Sequence, residues 1–109
     1  MAMQAERAKL QDAAAATGNG AALNVAGSAR LGVQVSGTFV ATVTFETLID
    51  GTNWVATAVN PVGGGAAVTT ATAPGLFTVS IGGLAQFRAR VTWTSGAVTV
   101  DALVTEAAT

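Results

Sequence analysis

General acid–base chemistry needs a histidine or two carboxylates brought into one cleft, and nucleophilic chemistry needs an activated thiol or hydroxyl. This chain of 109 residues has no histidine, cysteine or tyrosine, and its six acidic residues are scattered from Glu6 to Glu106. No serine stands in a motif that would supply a base, so no catalytic residue is expected and the chain reads as a non-enzyme. Asp50, Thr52 and Asn53 place three oxygens on one short stretch, well under the roughly six to eight that calcium takes. Turn chemistry explains them better, and neither a metal nor a cofactor is expected. Asn60-Pro61-Val62-Gly63-Gly64-Gly65 is glycine-rich as phosphate loops are, but no Lys-Ser/Thr and no helical segment follows, so it reads as a hairpin connection.

What remains is chemistry of contact. Arg88 and Arg90 share the polar side of one alternating run and can grip a partner's carboxylate, or pair with Glu46 or Asp101 within the chain. Arg7, Lys9 and Leu10 lie in an N-terminal stretch with no obvious place in the rest, so they join Arg88 and Arg90 as candidate partner-binding residues. Trp54 can be a sugar-stacking platform, but its position after a turn and in line with an apolar set favours the core. A net charge of −1 with scattered cations offers nucleic acid no field. No run of about 18 apolar residues crosses a membrane and no secretory leader opens the chain, so an unsecreted, soluble protein without membrane contact is expected.

Charged residues make up only 10% of the chain and apolar ones 50%. Sparse charge leaves little to oppose association, so contact with neighbouring subunits is expected.

The elements that must position these residues are strands. In the run 38–59, Phe39, Ala41, Val43 and Phe45 alternate with Val40, Thr42, Thr44 and Glu46, the two-residue period of a strand with one buried face. Asp50-Gly51 then turns the chain back through Trp54, Ala56 and Ala58. Similar alternation marks 30–36, 76–81, 86–94 and 98–104, with shorter strand character over 21–25 and 66–72, all punctuated by Gly, Pro, Asp and Asn. About eight short strands at this spacing predict an all-β antiparallel sandwich, jelly-roll or immunoglobulin-like, over residues 21–109. Its core is expected to hold Leu31, Val33, Val35, Phe39, Val43, Phe45, Trp54, Phe77, Val79, Ile81, Phe87, Val91, Trp93, Val98 and Val100. Gln4 to Ala16 is rich in helix formers and ends at Thr17-Gly18-Asn19-Gly20, so residues 1–20 are expected to be a short helical or flexible arm.

Gly37-Thr38-Phe39, Phe45-Glu46, Asp50-Gly51-Thr52-Asn53-Trp54 and Arg88-Ala89-Arg90-Val91 together resemble small β-sandwich virion proteins of tailed bacteriophages, of the head decoration or cement type. The resemblance covers residues 21–105 and departs from the pattern at Leu48, where a small polar residue is usual. It implies a capsid decoration protein on the outer head surface, synthesised in the host cytoplasm. Its partners would be the major capsid protein and copies of itself, as a homotrimer, with no nucleic acid, membrane or small-molecule substrate. The alternative is a tail-tip or fibre module that recognises a host-surface glycan.

Overall fold

The computed structural model describes residues 5–105, and these form ten strands and no helix. Five long strands carry the alternation: β3 (Arg30–Ser36), β4 (Phe39–Leu48), β8 (Gly75–Ser80), β9 (Gln86–Gly96) and β10 (Val98–Thr105). β1 (Ala5–Ala14) is as long as these, whereas β2 (Leu23–Asn24), β5 (Val55–Ala56), β6 (Asn60–Pro61) and β7 (Thr70–Ala71) are two-residue pairings. One antiparallel sheet, sheet A, runs β1-β10-β3-β8-β6; the other, sheet B, runs β2-β9-β4-β5, with β7 also on the free side of β4.

The inner residues of each alternating run meet between the sheets. Leu31, Val33, Val35, Phe77, Val79, Val98, Val100, Ala102 and Val104 come from sheet A, and Ala41, Val43, Phe45, Phe87, Ala89 and Val91 from sheet B. Phe45 links the layers, its ring 5.4 Å from that of Phe77 and 6.3 Å from that of Phe87 between centroids. Two crossings close the sandwich. Residues 57–69 leave sheet B, join Val59 to Val68 by reciprocal backbone bonds and return to β4 through Thr69. On the opposite side Gly18 and Val91 exchange backbone bonds of 3.0 and 2.9 Å, and buried Gln11 donates its side-chain amide to the Ala89 carbonyl at 2.8 Å.

Four expectations change. The helix expected over Gln4–Ala16 is strand β1 from Ala5 to Ala14, antiparallel to β10 from Ala5↔Thr105 to Ala14↔Val98; Gln4 and the tail from Glu106 lie outside the described residues. An isolated helix of this length is marginal in water, whereas a strand here satisfies the open side of β10 and buries Leu10, so tertiary pairing overrides propensity. The strands number ten rather than about eight, because β1 is added and the Pro-Gly connection contributes β6, whose Pro61 lies on a sheet edge where no donor is required. The reversal at Asp50-Gly51 occurs, but as a loop from Ile49 to Trp54, with only Glu46↔Ala56 and Thr47↔Val55 paired beyond it. Trp54 is half-buried on the outside of sheet B and is not core; Phe39 and Trp93 are half-buried at the core's margin.

Two hairpin turns interlock at one end. Gly96 has φ 82° and a Cβ there would strike the Thr38 carbonyl, while Gly37, at φ 110°, stands equally close to the Ala97 carbonyl. Both positions therefore require glycine.

Candidate interaction surface

The outer face of sheet B carries Arg88 and Arg90. Register places Arg88 opposite Glu46 and Arg90 opposite Thr44, so both guanidinium groups can reach the carboxylate standing between them. Arg88 Nε donates to Glu46 Oε1 at 2.8 Å, and Arg90 Nε lies 3.4 Å from the same oxygen. These side chains are 16%, 37% and 10% exposed for Arg88, Arg90 and Glu46, which makes this a half-dry, charge-assisted cluster rather than a surface pair. Trp54, carried over from the 49–54 loop, covers it: the Arg88 guanidinium carbon lies 4.3 Å from the ring centroid, a cation–π contact. Arg88 and Arg90 thus settle on Glu46, and Asp101 pairs instead with Lys9 at 3.3 Å across β1 and β10.

Asp50 is turned into its own loop. One carboxylate oxygen accepts from the backbone N–H groups of Thr52 at 2.9 Å and Asn53 at 2.8 Å, and the other accepts from the Asn53 side-chain amide at 2.6 Å. The backbone donors of Asn53 and Thr52, with the Asn53 amide, hold the Asp50 carboxyl below the usual carboxylate range. Both Asp50 carboxylate oxygens are thus occupied as turn caps. No group of three His, Cys, Asp or Glu side chains suited to a metal ion occurs among the described residues.

The outer face of sheet A differs. Arg7, Leu103, Gly32 and Thr78 lie in one row across β1, β10, β3 and β8, and Lys9, Asp101, Gln34 and Leu76 in the next. Between them is a shallow groove of about 370 Å³, also lined by Val62. Leu76, Val62 and Leu103 are exposed to 52%, 58% and 42%, so the groove presents apolar side chains to water.

The five candidate contact residues therefore separate. Arg7 lines the groove and Lys9 stands beside it in its ion pair. Leu10 is buried in the core, and Arg88 and Arg90 belong to the Glu46 cluster on the opposite face. The groove residues Gly32, Val62, Leu76 and Leu103 were not singled out from the sequence; the available signal was Gly32, a glycine at an outward position of an otherwise regular strand.

A family model described as XepA matches residues 4–104. Two crystal structures share the fold. That of the SPBc2 prophage-derived protein YomS matches with a TM-score of 0.91 and 18% identity, over 97% of this chain and 96% of that one. That of the PBSX exported protein XepA matches with a TM-score of 0.92 and 19% identity, over 97% of this chain and 39% of that one. This chain therefore corresponds to well under half of the XepA chain. No curated protein matches the sequence.

Proposed function

The chain belongs to the XepA family, and from that membership we propose that it is a non-enzymatic structural protein of a phage, acting by attachment to a larger protein assembly. The observation that carries this reading is the contrast within its surface. Arg88, Arg90 and Asp50 are committed to partners inside the chain, while Leu76, Val62 and Leu103 stand exposed in one groove. YomS, of the same fold over nearly its whole length, is described as prophage-derived, which supports a phage setting. In its specific form the proposal is a head decoration or cement protein that binds the major capsid protein on the outer head and associates with its own copies as a trimer, closed symmetry being the usual arrangement of identical chains. Purified heads lacking the protein, mixed with it and pelleted, should carry it down, and light scattering should give a trimeric mass. A chain that stays monomeric and in the supernatant overturns this form.

A second reading has its own observation: XepA is described as an exported protein. In that reading the chain acts outside the cell that makes it, and secretion of the full-length protein into the medium during phage induction, without association with particles, would select it. Trp54 does not favour a glycan-binding form, because one approach to its ring is taken by Arg88. Its fluorescence should stay unchanged on titration with oligosaccharides.

A further inference from the structure

We infer that the outer face of sheet A is a docking surface for an acidic, apolar stretch of a partner protein, with Gly32 as its floor. The inference rests on the reading that the chain works by attachment, and it names the surface and the chemistry of what attaches.

Gly32 is the first observation. A glycine inside a strand weakens it, and the usual reasons to keep one are a left-handed backbone, a crowded neighbour or the close approach of another chain. The first two do not apply here. Gly32 is not among the glycines with positive φ, and a Cβ added to it would meet only the Leu103 carbonyl at 3.9 Å, an ordinary contact. A side chain would fit, and its absence leaves backbone bare between Leu103 and Thr78, at the bottom of the groove.

Charge is the second. Strand alternation directs Arg30 outward with Gly32 and Gln34, and Arg7 and Lys9 lie on the same face across β10. Against these three cations, among the described residues, stand Asp101, already paired with Lys9, and exposed Asp12, which follows inward-facing Gln11 on β1. The described residues of this face therefore carry a net positive charge, with Arg7 at the groove itself, although the chain as a whole carries −1. A second copy placed face to face would bring Arg7 and Arg30 against their own kind, which argues for a partner of opposite charge.

The test uses the full chain, labelled for amide NMR, and two short synthetic peptides, one alternating Glu with Leu and the other Lys with Leu. The acidic peptide should shift the amides of Gly32, Leu76 and Leu103, and bind more weakly as salt rises. Gly32→Val fills the floor, and Arg7→Glu with Arg30→Glu reverses the charge of the face; each should weaken binding at least tenfold. Gly32→Val should leave the thermal midpoint no lower than wild type, which separates a filled groove from a damaged fold. Equal binding of the basic peptide, shifts that map elsewhere, or no shifts with either peptide overturns the proposal. So do the same shifts appearing only with phosphatidylglycerol vesicles, or only on concentrating the protein alone. Co-sedimentation with heads that survives Gly32→Val overturns this surface and leaves the attachment reading standing. Peptide binding by a chain that never sediments with heads does the reverse.

Discussion

The centres of the two outer faces of the sandwich use polar and apolar residues in opposite ways. On sheet B one carboxylate, Glu46, sits between Arg88 and Arg90 under the Trp54 ring, and this charged centre is closed on itself, although Val40 and Val55 elsewhere on the sheet are exposed. On sheet A the centre is the bare backbone of Gly32, flanked by exposed Leu103, Leu76 and Val62, with Arg7 at the groove. Charged groups that satisfy one another in a half-dry site stabilise the fold and become poor at recognising anything else. Apolar groups left in water contribute little to the fold and remain available to a partner. The comparison teaches that the conspicuous charged residues here are structural, and that the contact surface is marked by small and aliphatic ones.

The largest expected effect concerns what the faces share. Phe45→Ala removes the ring that contacts Phe77 and Phe87 between the sheets and should cost about 3–5 kcal/mol in urea unfolding. An effect near zero would mean that the sheets do not pack through this cluster, and the two faces would lose their common base.

Glu46→Ala is the next, and the sharpest for sheet B. It strips the carboxylate from two partly dry guanidinium groups and should destabilise by about 1–3 kcal/mol. Part of that cost should return in the double variant with Arg88→Ala, as measured by a double-mutant cycle. Simple additivity would show the cluster to be an inert surface pairing.

Trp54→Ala should cost less, about 0.5–1 kcal/mol, the range of a cation–π contact near the surface. A loss on the scale of Phe45 would return Trp54 to the core. On sheet A, Leu103→Ser and Leu76→Ser should each change stability by no more than about 0.5 kcal/mol, since their exposed side chains support no packed neighbour layer.

The smallest effect is that of Asp50. Its carboxyl is held below the ordinary carboxylate range by the donors of Thr52 and Asn53, so its contribution is present above that range and is lost as the pH falls through the lowered value. Asp50→Asn should flatten a shallow acid-side slope in the thermal midpoint by lowering the midpoint slightly at neutral pH while leaving its acid end almost unchanged.

Much of this was legible in the residues. The alternation of Leu31, Val33 and Val35, of Val43 and Phe45, and of Phe87, Ala89 and Val91 marked strands whose inner faces are the observed core. The pairing of Arg88 and Arg90 with Glu46 was one of three open choices, beside Asp101 and a partner's carboxylate, because register across β4 and β9 is not visible until the strands are aligned. β1 was illegible for a physical reason: its Ala, Glu, Lys and Gln favour helix, and a register shift between Lys9 and Gln11 buries Leu10 and Gln11 in succession and erases the two-residue period. Trp54 misled because apolar residues after a turn usually point inward, whereas here the short β5 leaves the ring outside against Arg88. The groove's one trace in the sequence is Gly32 at an outward position of an alternating strand; Val62, Leu76 and Leu103 join it only when the strands are aligned.

The division of labour between the faces is tested most directly by equilibrium urea unfolding of two variants side by side, Glu46→Ala on sheet B and Arg7→Ser with Leu76→Ser and Leu103→Ser on sheet A. The account predicts a clearly lowered midpoint for the first and a midpoint close to wild type for the second. A sheet A variant that unfolds early while Glu46→Ala holds would contradict it, placing the structural burden on the face assigned here to contact.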